Sequence, residues 1–309
     1  MLTALDKLRR IYDVLGDDYR AAAYKKAQES LANYNGNYSM EELLGLDGVG
    51  RGIASKVIEF RRTGRIEKLE ELRKDPKIVA WKLFSGVLGA GPETVKKWIE
   101  MGLKTLADLK TAAATGKITI TKTIRLGIKY YSDLIGRIPR AEVAAIGAQI
   151  CKIGAGIGAL SSCELVGSYR RGAAESGDVD VLICGRMTDF LAKLKQRLAD
   201  EGNCIDILSC GKEKMTLLWQ YDGAGGTTRQ VDIMYVAPTN YYAALSYFTG
   251  SYSHNTRLRG LAKRAGMKLN QNGLYKKDKN GAWSPIPLRS EKDIYAAIGV
   301  DYIAPSSRG

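Results

Sequence analysis

Gly167-Ser168-Tyr169-Arg170-Arg171-Gly172 is followed within a few residues by Ser176-Gly177-Asp178-Val179-Asp180-Val181-Leu182-Ile183. The second run reads as a strand, and side chains two apart on a strand share a face, their Cα atoms about 6–7 Å apart. Two carboxylates so placed can hold one or two Mg²⁺ ions, while the backbone N–H groups of the glycine/serine turn face a phosphate. Asp232, in Val231-Asp232-Ile233, sits mid-strand in an apolar setting where a lone carboxylate is costly. On a strand beside Val179–Ile183 it would complete a metal-binding cluster. Three ordinary aspartates at a sheet edge are the plain alternative, and an isolated Asp-x-Asp would favour it. The Gly-Ser turn at this spacing and the third strand aspartate tip the reading to nucleotidyl transfer.

Two further patterns could do chemistry. Gly48-Val49-Gly50 and Gly89-Ala90-Gly91 each stand between helical runs, a weak internal repeat of helix, Gly-x-Gly hairpin, helix. Backbone N–H groups at such a turn can grip a phosphate without reading sequence, although one copy alone is more often a plain helix-helix turn. Lys56 lies off the apolar stripe of Ile53, Val57 and Phe60. Crowded by other cations (Lys25, Lys26 and Lys68 are candidates), it could have a lowered pKa and form a Schiff base. From the pattern alone, a solvated helix lysine is the better reading. Gly154-Ala155-Gly156-Ile157-Gly158 mimics a dinucleotide fingerprint, but no strand precedes it, so a loose helix end or linker is expected. His254 is read as a turn or groove residue, and Tyr241, Tyr242, Tyr247 and Tyr252 mostly as packing.

The elements that must position these residues are helical first and mixed later. Helices are predicted around Leu5–Leu15, Tyr19–Ala32 and Ile53–Arg62, with Asn33–Asn37 as a break and Ser39-Met40-Glu41-Glu42 as a capping box. A helix from Trp81, another over Glu93–Met101 and a third over Ile124–Ile135 follow, and Pro139 opens a further one. Strands are predicted at Leu165-Val166, Val179–Ile183, Met215–Tyr221 and Gln230–Val236, with a helix over Asp189–Glu201 and a hairpin loop at Asp222–Thr228. After Pro238 come a tyrosine-rich helix, a basic helix over Asn255–Ala265 and short strands to the end. The fold class is α+β with an all-helical N-terminal third.

Composition narrows the partners. A net charge of +14, from 47 basic and 33 acidic residues, suits a polyanion without separating DNA from RNA or an anionic membrane surface. No run of 18 apolar residues and no signal-peptide pattern occur, so an intracellular, soluble protein is expected. Cys151, Cys163, Cys184, Cys204 and Cys210 form no CxxC pair, and His254 is the single histidine; zinc is disfavoured and a reducing compartment expected.

Taken together, these residues resemble the family X DNA polymerases, in the form of the beta- and lambda-type repair polymerases. The resemblance spans essentially the whole chain and is carried by the Gly167–Gly172 and Gly177–Leu182 runs, Tyr247-Phe248-Thr249-Gly250-Ser251 and Phe84–Gly91. No BRCT-like region precedes residue 1, and a catalytic core alone is expected. The resemblance implies an all-helical helix-hairpin-helix domain plus a nucleotidyltransferase palm, with flanking helical and small mixed α/β subdomains. Its divisions would be a lyase-like DNA-binding domain over 1–75, a helix-hairpin-helix subdomain over 76–137, a palm over 138–238 and a nascent-base-pair-binding subdomain over 239–309.

The resemblance also implies roles. Asp178 and Asp180 would bind two Mg²⁺ (or Mn²⁺) ions, and Asp232 the one that activates the primer 3′-hydroxyl. Gly167, Ser168, Arg171 and Arg140 would hold the dNTP triphosphate, with Ser176 and Gly177 beside it. Tyr247, Phe248 and Gly250 would pack on the sugar, Asn255 would contact the base and Arg259 the template. Backbone carbonyls of Leu44, Leu46 and Val49, and of Ser85, Val87 and Ala90, would bind a monovalent cation (Na⁺ or K⁺) that links Gly48/Gly50 and Gly89/Gly91 to DNA phosphates. Lys56 takes the place of the family's Schiff-base nucleophile, which reverses the reading from pattern alone and implies 5′-deoxyribose-phosphate lyase activity. Arg20, Tyr24 and Lys68 match the 5′-phosphate pocket. Gly52 and Gln230 depart from the family, which often has a lysine at the first position and an arginine at the second. The expectation is a gap-filling repair polymerase acting as a monomer on gapped or nicked duplex DNA, in a nucleus or another DNA-containing compartment, with a ligase or other repair proteins as partners and no membrane. The alternatives are a template-independent terminal transferase and a non-catalytic DNA-end-binding scaffold.

Overall fold

The structure, a computed structural model, describes residues 1–32, 34–158, 160–222 and 225–309. Asn33 of the predicted break and Gly223-Ala224 of the predicted hairpin loop lie outside the described residues. The chain divides into two compact units, Met1–Tyr131 and Ser132–Gly309. Among the described residues no helix is long and apolar enough to cross a membrane.

The first unit is helical because its apolar residues recur at helical spacing between capping residues. α1 (Leu2–Leu15), α2 (Asp18–Leu31), α3 (Met40–Leu44), α4 (Arg51–Thr63) and α5 (Glu67–Leu72) bury one core around Leu5, Leu8, Ala27, Leu43 and Val57. Of the capping box expected at Ser39, only the serine half forms; Glu42 accepts from Asn37 N and Tyr34 Oη instead. α6 (Pro76–Ser85), α7 (Pro92–Glu100), α8 (Leu106–Ala114) and α9 (Lys122–Lys129) enclose a second core around Phe84, Trp98, Leu109 and Ile124. The helix predicted over Ile124–Ile135 breaks at Tyr130 (φ −103°, ψ 22°) and resumes as the short α10 (Tyr131–Leu134). There Tyr131 Oη donates to Leu83 O at 3.0 Å, a bond that sequence periodicity does not reveal.

The second unit takes in α10 from Ser132 and continues with β1 (Ile138–Pro139), α11 (Arg140–Ala155), β2 (Leu160–Leu165), α12 (Gly167–Arg170), β3 (Glu175–Ser176) and β4 (Val179–Gly185). α13 (Phe190–Ala199), β5 (Cys204–Cys210), β6 (Lys214–Gln220) and β7 (Thr228–Val236) follow. The main sheet runs β2-β4-β7-β6-β5, with β4 and β7 parallel and the other pairs antiparallel. Alternation splits its residues between two faces. Val179, Val181, Ile183, Val231 and Ile233 pack on α11 and α13, while Leu182, Cys184, Met234 and Val236 pack under α14 (Tyr241–Thr249). By the same alternation Asp180 and Asp232 fall on that second face. β5, absent from the sequence reading, is an edge strand broken by bulges, so its pattern never alternates cleanly.

α15 (Tyr252–Arg264), β8 (Met267–Asn270), β9 (Gly273–Lys277), β10 (Trp283–Ile286) and α16 (Glu291–Ile298) complete the chain. α16 stands where only short strands were expected; it is held at its start by a capping box of Ser290 and Asp293. The reading of the cysteines as reduced thiols is corrected at Cys151 and Cys163, which form a disulfide between α11 and β2. Twelve residues apart in sequence, they meet only because α11 packs on the sheet. Cys184, Cys204 and Cys210 are free thiols.

Candidate active site

Parallel pairing of β4 with β7 sets Asp180 opposite Asp232, and Asp178 immediately precedes β4. The three aspartates bring ligand oxygens within 4.8 Å of one another. Burial, reinforced by the Asp232 carboxylate, pushes Asp178 above the usual carboxylate range, with Lys214 and Arg137 pulling the other way. Burial, then Asp178 and Asp232, push Asp180 up to about 7. Clustered carboxylate oxygens are the donor set of a hard divalent cation, and the mutual repulsion felt by Asp178 and Asp180 is what such a cation relieves. Asp232 is only 8% exposed. Thr216 Oγ1 donates to its Oδ1 at 2.6 Å and Lys214 Nζ to its Oδ2 at 2.9 Å.

The glycine-led turn stands against this cluster. Gly167 has φ +57°, and a Cβ there would lie 2.0 Å from Asp180 Oδ2, so no side chain fits. Ser168 Oγ donates to Ser176 Oγ (2.8 Å), which joins the turn to β3 and the adjacent Gly177. The Arg140 guanidinium lies 3.8 Å from the centre of the Tyr169 ring and donates to Tyr169 O and Ala173 O. Arg171 donates to Thr249 O (2.6 Å), and Arg170 to Thr249 Oγ1 (2.7 Å) and Glu291 Oε2 (2.6 Å). The turn is thereby tied to the end of α14, where Tyr247 and Phe248 meet edge to face and Gly250 follows at φ 69°. Asn255 Nδ2 donates to Tyr247 O (2.7 Å), and Arg259 lies 4.8 Å from the Tyr247 ring centre. His254 is buried in α15, its Nε2 at 2.8 Å from Tyr295 Oη, and it lines a cavity of about 550 Å³ with Leu258, Leu261 and Tyr295.

In the first unit, a cavity of about 890 Å³ is lined by Arg20, Tyr24, Leu44, Leu46, Gly48, Val49, Gly50 and Lys56. Lys56 Nζ donates to Gly52 O (3.1 Å). Its pKa is lowered by burial first, with Lys68 and Arg20 adding and Glu59 opposing. Of the crowding cations expected, Lys68 acts in this way, although it does not line the cavity and pairs with Glu71 (2.9 Å). Lys26 instead pairs with Asp47 (2.7 Å), and Lys25 is exposed. Arg20 pairs with Asp17, and Tyr24 stacks on Tyr12, with burial raising its hydroxyl pKa.

The two hairpins are built alike. Gly48 and Gly89 have φ +76° and +85°, and Val49 N donates to Leu46 O as Ala90 N does to Val87 O. Leu44 and Ser85 end the preceding helices, so the two carbonyl sets occupy matching places. Gly50 and Gly91 are the N-caps of α4 and α7, with open space where a Cβ would stand. Sequence reasoning passed over Lys214 and Thr216. Their Lys-x-Thr spacing carries a signal only once β6 is in register with β7.

By its sheet order and its acids the second unit is of the nucleotidyltransferase class, with a small α/β subdomain after the palm. Successive stretches of the chain match family models described as a helix-hairpin-helix domain (residues 1–66), the fingers domain of DNA polymerase lambda (82–135), the DNA polymerase beta palm (137–238) and the DNA polymerase beta thumb (244–309). DNA polymerase lambda of Rattus norvegicus is 32% identical over 321 residues, covering 98% of this chain and 55% of that protein. The protein of the same name from Arabidopsis thaliana is 29% identical over 326 residues, covering 98% and 60%. DNA nucleotidylexotransferase of Xenopus laevis is 27% identical over 311 residues, covering 87% and 60%. The chain belongs to the family X DNA polymerases. It spans 55% to 60% of the length of these relatives.

Proposed function

We propose that this chain is a template-directed DNA polymerase that fills short gaps in duplex DNA and carries a 5′-deoxyribose-phosphate lyase in its helical N-terminal part. The observation that supports it most is the convergence of Asp178, Asp180 and Asp232, with ligand oxygens within 4.8 Å, in a chain matched in order by hairpin, fingers, palm and thumb. Its working division is a lyase-like domain (1–75), a hairpin subdomain (76–137), a palm (138–238) and a nascent-base-pair subdomain (239–309). Asp178 and Asp180 would hold two Mg²⁺ (or Mn²⁺) ions, and Asp232 the one at the primer terminus. Such ions would supply Lewis acidity to the phosphoryl transfer.

The chain's own residues orient the reactants. The primer 3′-hydroxyl attacks the α-phosphate of a dNTP in line, with pyrophosphate leaving. Backbone N–H groups at Gly167-Ser168, with Arg171 and Arg140, would hold the triphosphate, and the Arg140–Tyr169 stack supports this by fixing one guanidinium before substrate arrives. Tyr247, Phe248 and Gly250 would pack on the sugar, Asn255 would meet the base and Arg259 the template. The Gly48–Gly50 and Gly89–Gly91 turns would grip duplex phosphates, with Na⁺ or K⁺ on the adjoining carbonyls. Neutral Lys56 Nζ would add to the C1′ aldehyde of the sugar and lose water to form the Schiff base. The partners are gapped or nicked duplex DNA, a dNTP and a ligase or other repair protein, and the setting is a DNA-containing compartment.

Extension of a primer across a one-nucleotide gap tests this. Asp232→Ala loses extension by a factor of at least about 10³ while gapped-duplex binding persists; unchanged extension overturns the assignment. A single-stranded primer given dNTPs without template stays unextended. Extension there would instead favour the activity named for the Xenopus relative, against which the short β6–β7 connection counts.

A further inference from the structure

Asp232 is the most buried of the three aspartates, and the sheet treats its two sides differently. On one side the parallel partner β4 sets Asp180 opposite it, an anion facing an anion. On the other side the antiparallel partner β6 sets Thr216 opposite it, with Lys214 two residues along and on the same face. The donors are divided evenly: Thr216 Oγ1 reaches Oδ1 (2.6 Å) and Lys214 Nζ reaches Oδ2 (2.9 Å). A carboxylate offers about four lone-pair positions. With one on each oxygen taken from β6, the rest are left for the side of Asp178 and Asp180.

We propose that Lys214 and Thr216 are positioning residues that fix the torsion of the Asp232 carboxylate and present its free lone pairs to the divalent ion it would share with Asp178 and Asp180. The inference rests on the polymerase reading of that cluster. Thr216 is β-branched and holds few rotamers, so its hydroxyl is a stiff anchor. Lys214 is different in kind. Its side chain is 55% exposed, yet its partner's is 11% exposed, so this is not the loose surface pair that contributes nothing. Its ammonium also offsets part of the repulsion among the three carboxylates, and it opposes any further cation brought to them. Lys214 therefore trades some affinity for the ion against a fixed carboxylate, and removing it should move rate and affinity in opposite directions. A lysine that only supported the fold would not do this.

The test uses the whole chain with Lys214→Met, Lys214→Arg, Thr216→Val and Thr216→Ser. In single-turnover extension of a one-nucleotide gap at saturating Mg²⁺, Lys214→Met and Thr216→Val slow the reaction roughly tenfold to a hundredfold, the scale of a small misplacement of a reacting group. Half-saturation by dNTP changes less than about threefold, because the groups that would hold the nucleotide are unaltered. Lys214→Arg and Thr216→Ser retain most of the rate. Mn²⁺ binding to the protein alone, without DNA or nucleotide and read by electron paramagnetic resonance, tightens about tenfold in Lys214→Met at low salt and holds in Lys214→Arg. Wild-type rates in both Lys214→Met and Thr216→Val overturn the proposal. So does Mn²⁺ binding that fails to tighten in Lys214→Met. Asp232→Ala separates the two levels: if it still extends primers, the polymerase reading fails. If it is dead while Lys214→Met matches wild type, only the positioning role fails.

Discussion

Lys56 owes its lowered pKa chiefly to burial, and only then to Lys68 and Arg20, with Glu59 working against them. Below its folded-state pKa the nitrogen is protonated and inert; above it the neutral amine can attack. Borohydride trapping on an incised abasic site should therefore rise with pH and level off at a lower pH than a lysine at its ordinary 10.5 would. Glu59→Gln removes the raising influence and moves the levelling point further down. Lys68→Met removes a lowering one and moves it up, and Lys56→Ala does not trap. A profile that neither neighbour shifts would place the nucleophile elsewhere. The glycines teach the same lesson about context. Gly167 was legible as a turn residue, but its physical reason is Asp180 Oδ2, which fills the space of a Cβ. Gly52 has open space around it, so nothing steric excludes the lysine the family often carries there. Gln230 lies on the face of Asp232 opposite Leu218, whereas Arg229 beside it turns to the other face.

Arg229 is also what binds one element to another. Its Nε and Nη2 donate to Glu142 Oε1 (2.6 Å) and Oε2 (3.1 Å), joining β7 to α11, and its Nη1 donates to Asp133 O. Both side chains are buried. Removing one partner strands a charge without water, so Glu142→Ala should cost about 3–5 kcal/mol in urea unfolding, whereas Glu142→Met with Arg229→Leu should be close to neutral. A loss under about 1 kcal/mol in Glu142→Ala would show that the guanidinium finds water or another partner. That pair was invisible in sequence because 87 residues separate its members. What was legible at this scale has a local signature. β4 and β7 are apolar runs of strand length, buried on both faces, and α1, α4 and α7 keep strong helical periodicity. β5 is bulged and half-exposed, and α16 is held more by Ser290 and Asp293 than by its eight-residue pattern, so neither left such a mark. The Cys151–Cys163 bond and the Lys214–Asp232 pair are likewise products of packing between elements.

For the whole molecule, the net charge of +14 predicts attraction to any polyanion, but it cannot say where a backbone would be gripped. The hairpins supply a place. Gly50 and Gly91 end the two turns as N-caps in extended conformation (φ −79° and −73°), with open space beside them and the free N–H groups of α4 and α7 beyond. Aspartate is a good N-cap, adds favourable charge at a helix start and fits this backbone, so Gly50→Asp and Gly91→Asp should not lower Tm. The same carboxylate would occupy and repel the position of a phosphate. Each substitution should weaken binding to nicked duplex about tenfold at roughly 0.1 M salt, and the salt dependence should become shallower by about one counterion for each phosphate no longer gripped. As the two turns are separate, the double variant should lose close to the product of the single losses. Should binding hold while Tm rises, the turns are helix joints only and the charge of the chain acts diffusely. Should Tm fall, the glycines serve the fold. Only weaker binding at undiminished stability assigns the phosphates to the hairpins, since it separates what the turns do for DNA from what they do for the helices.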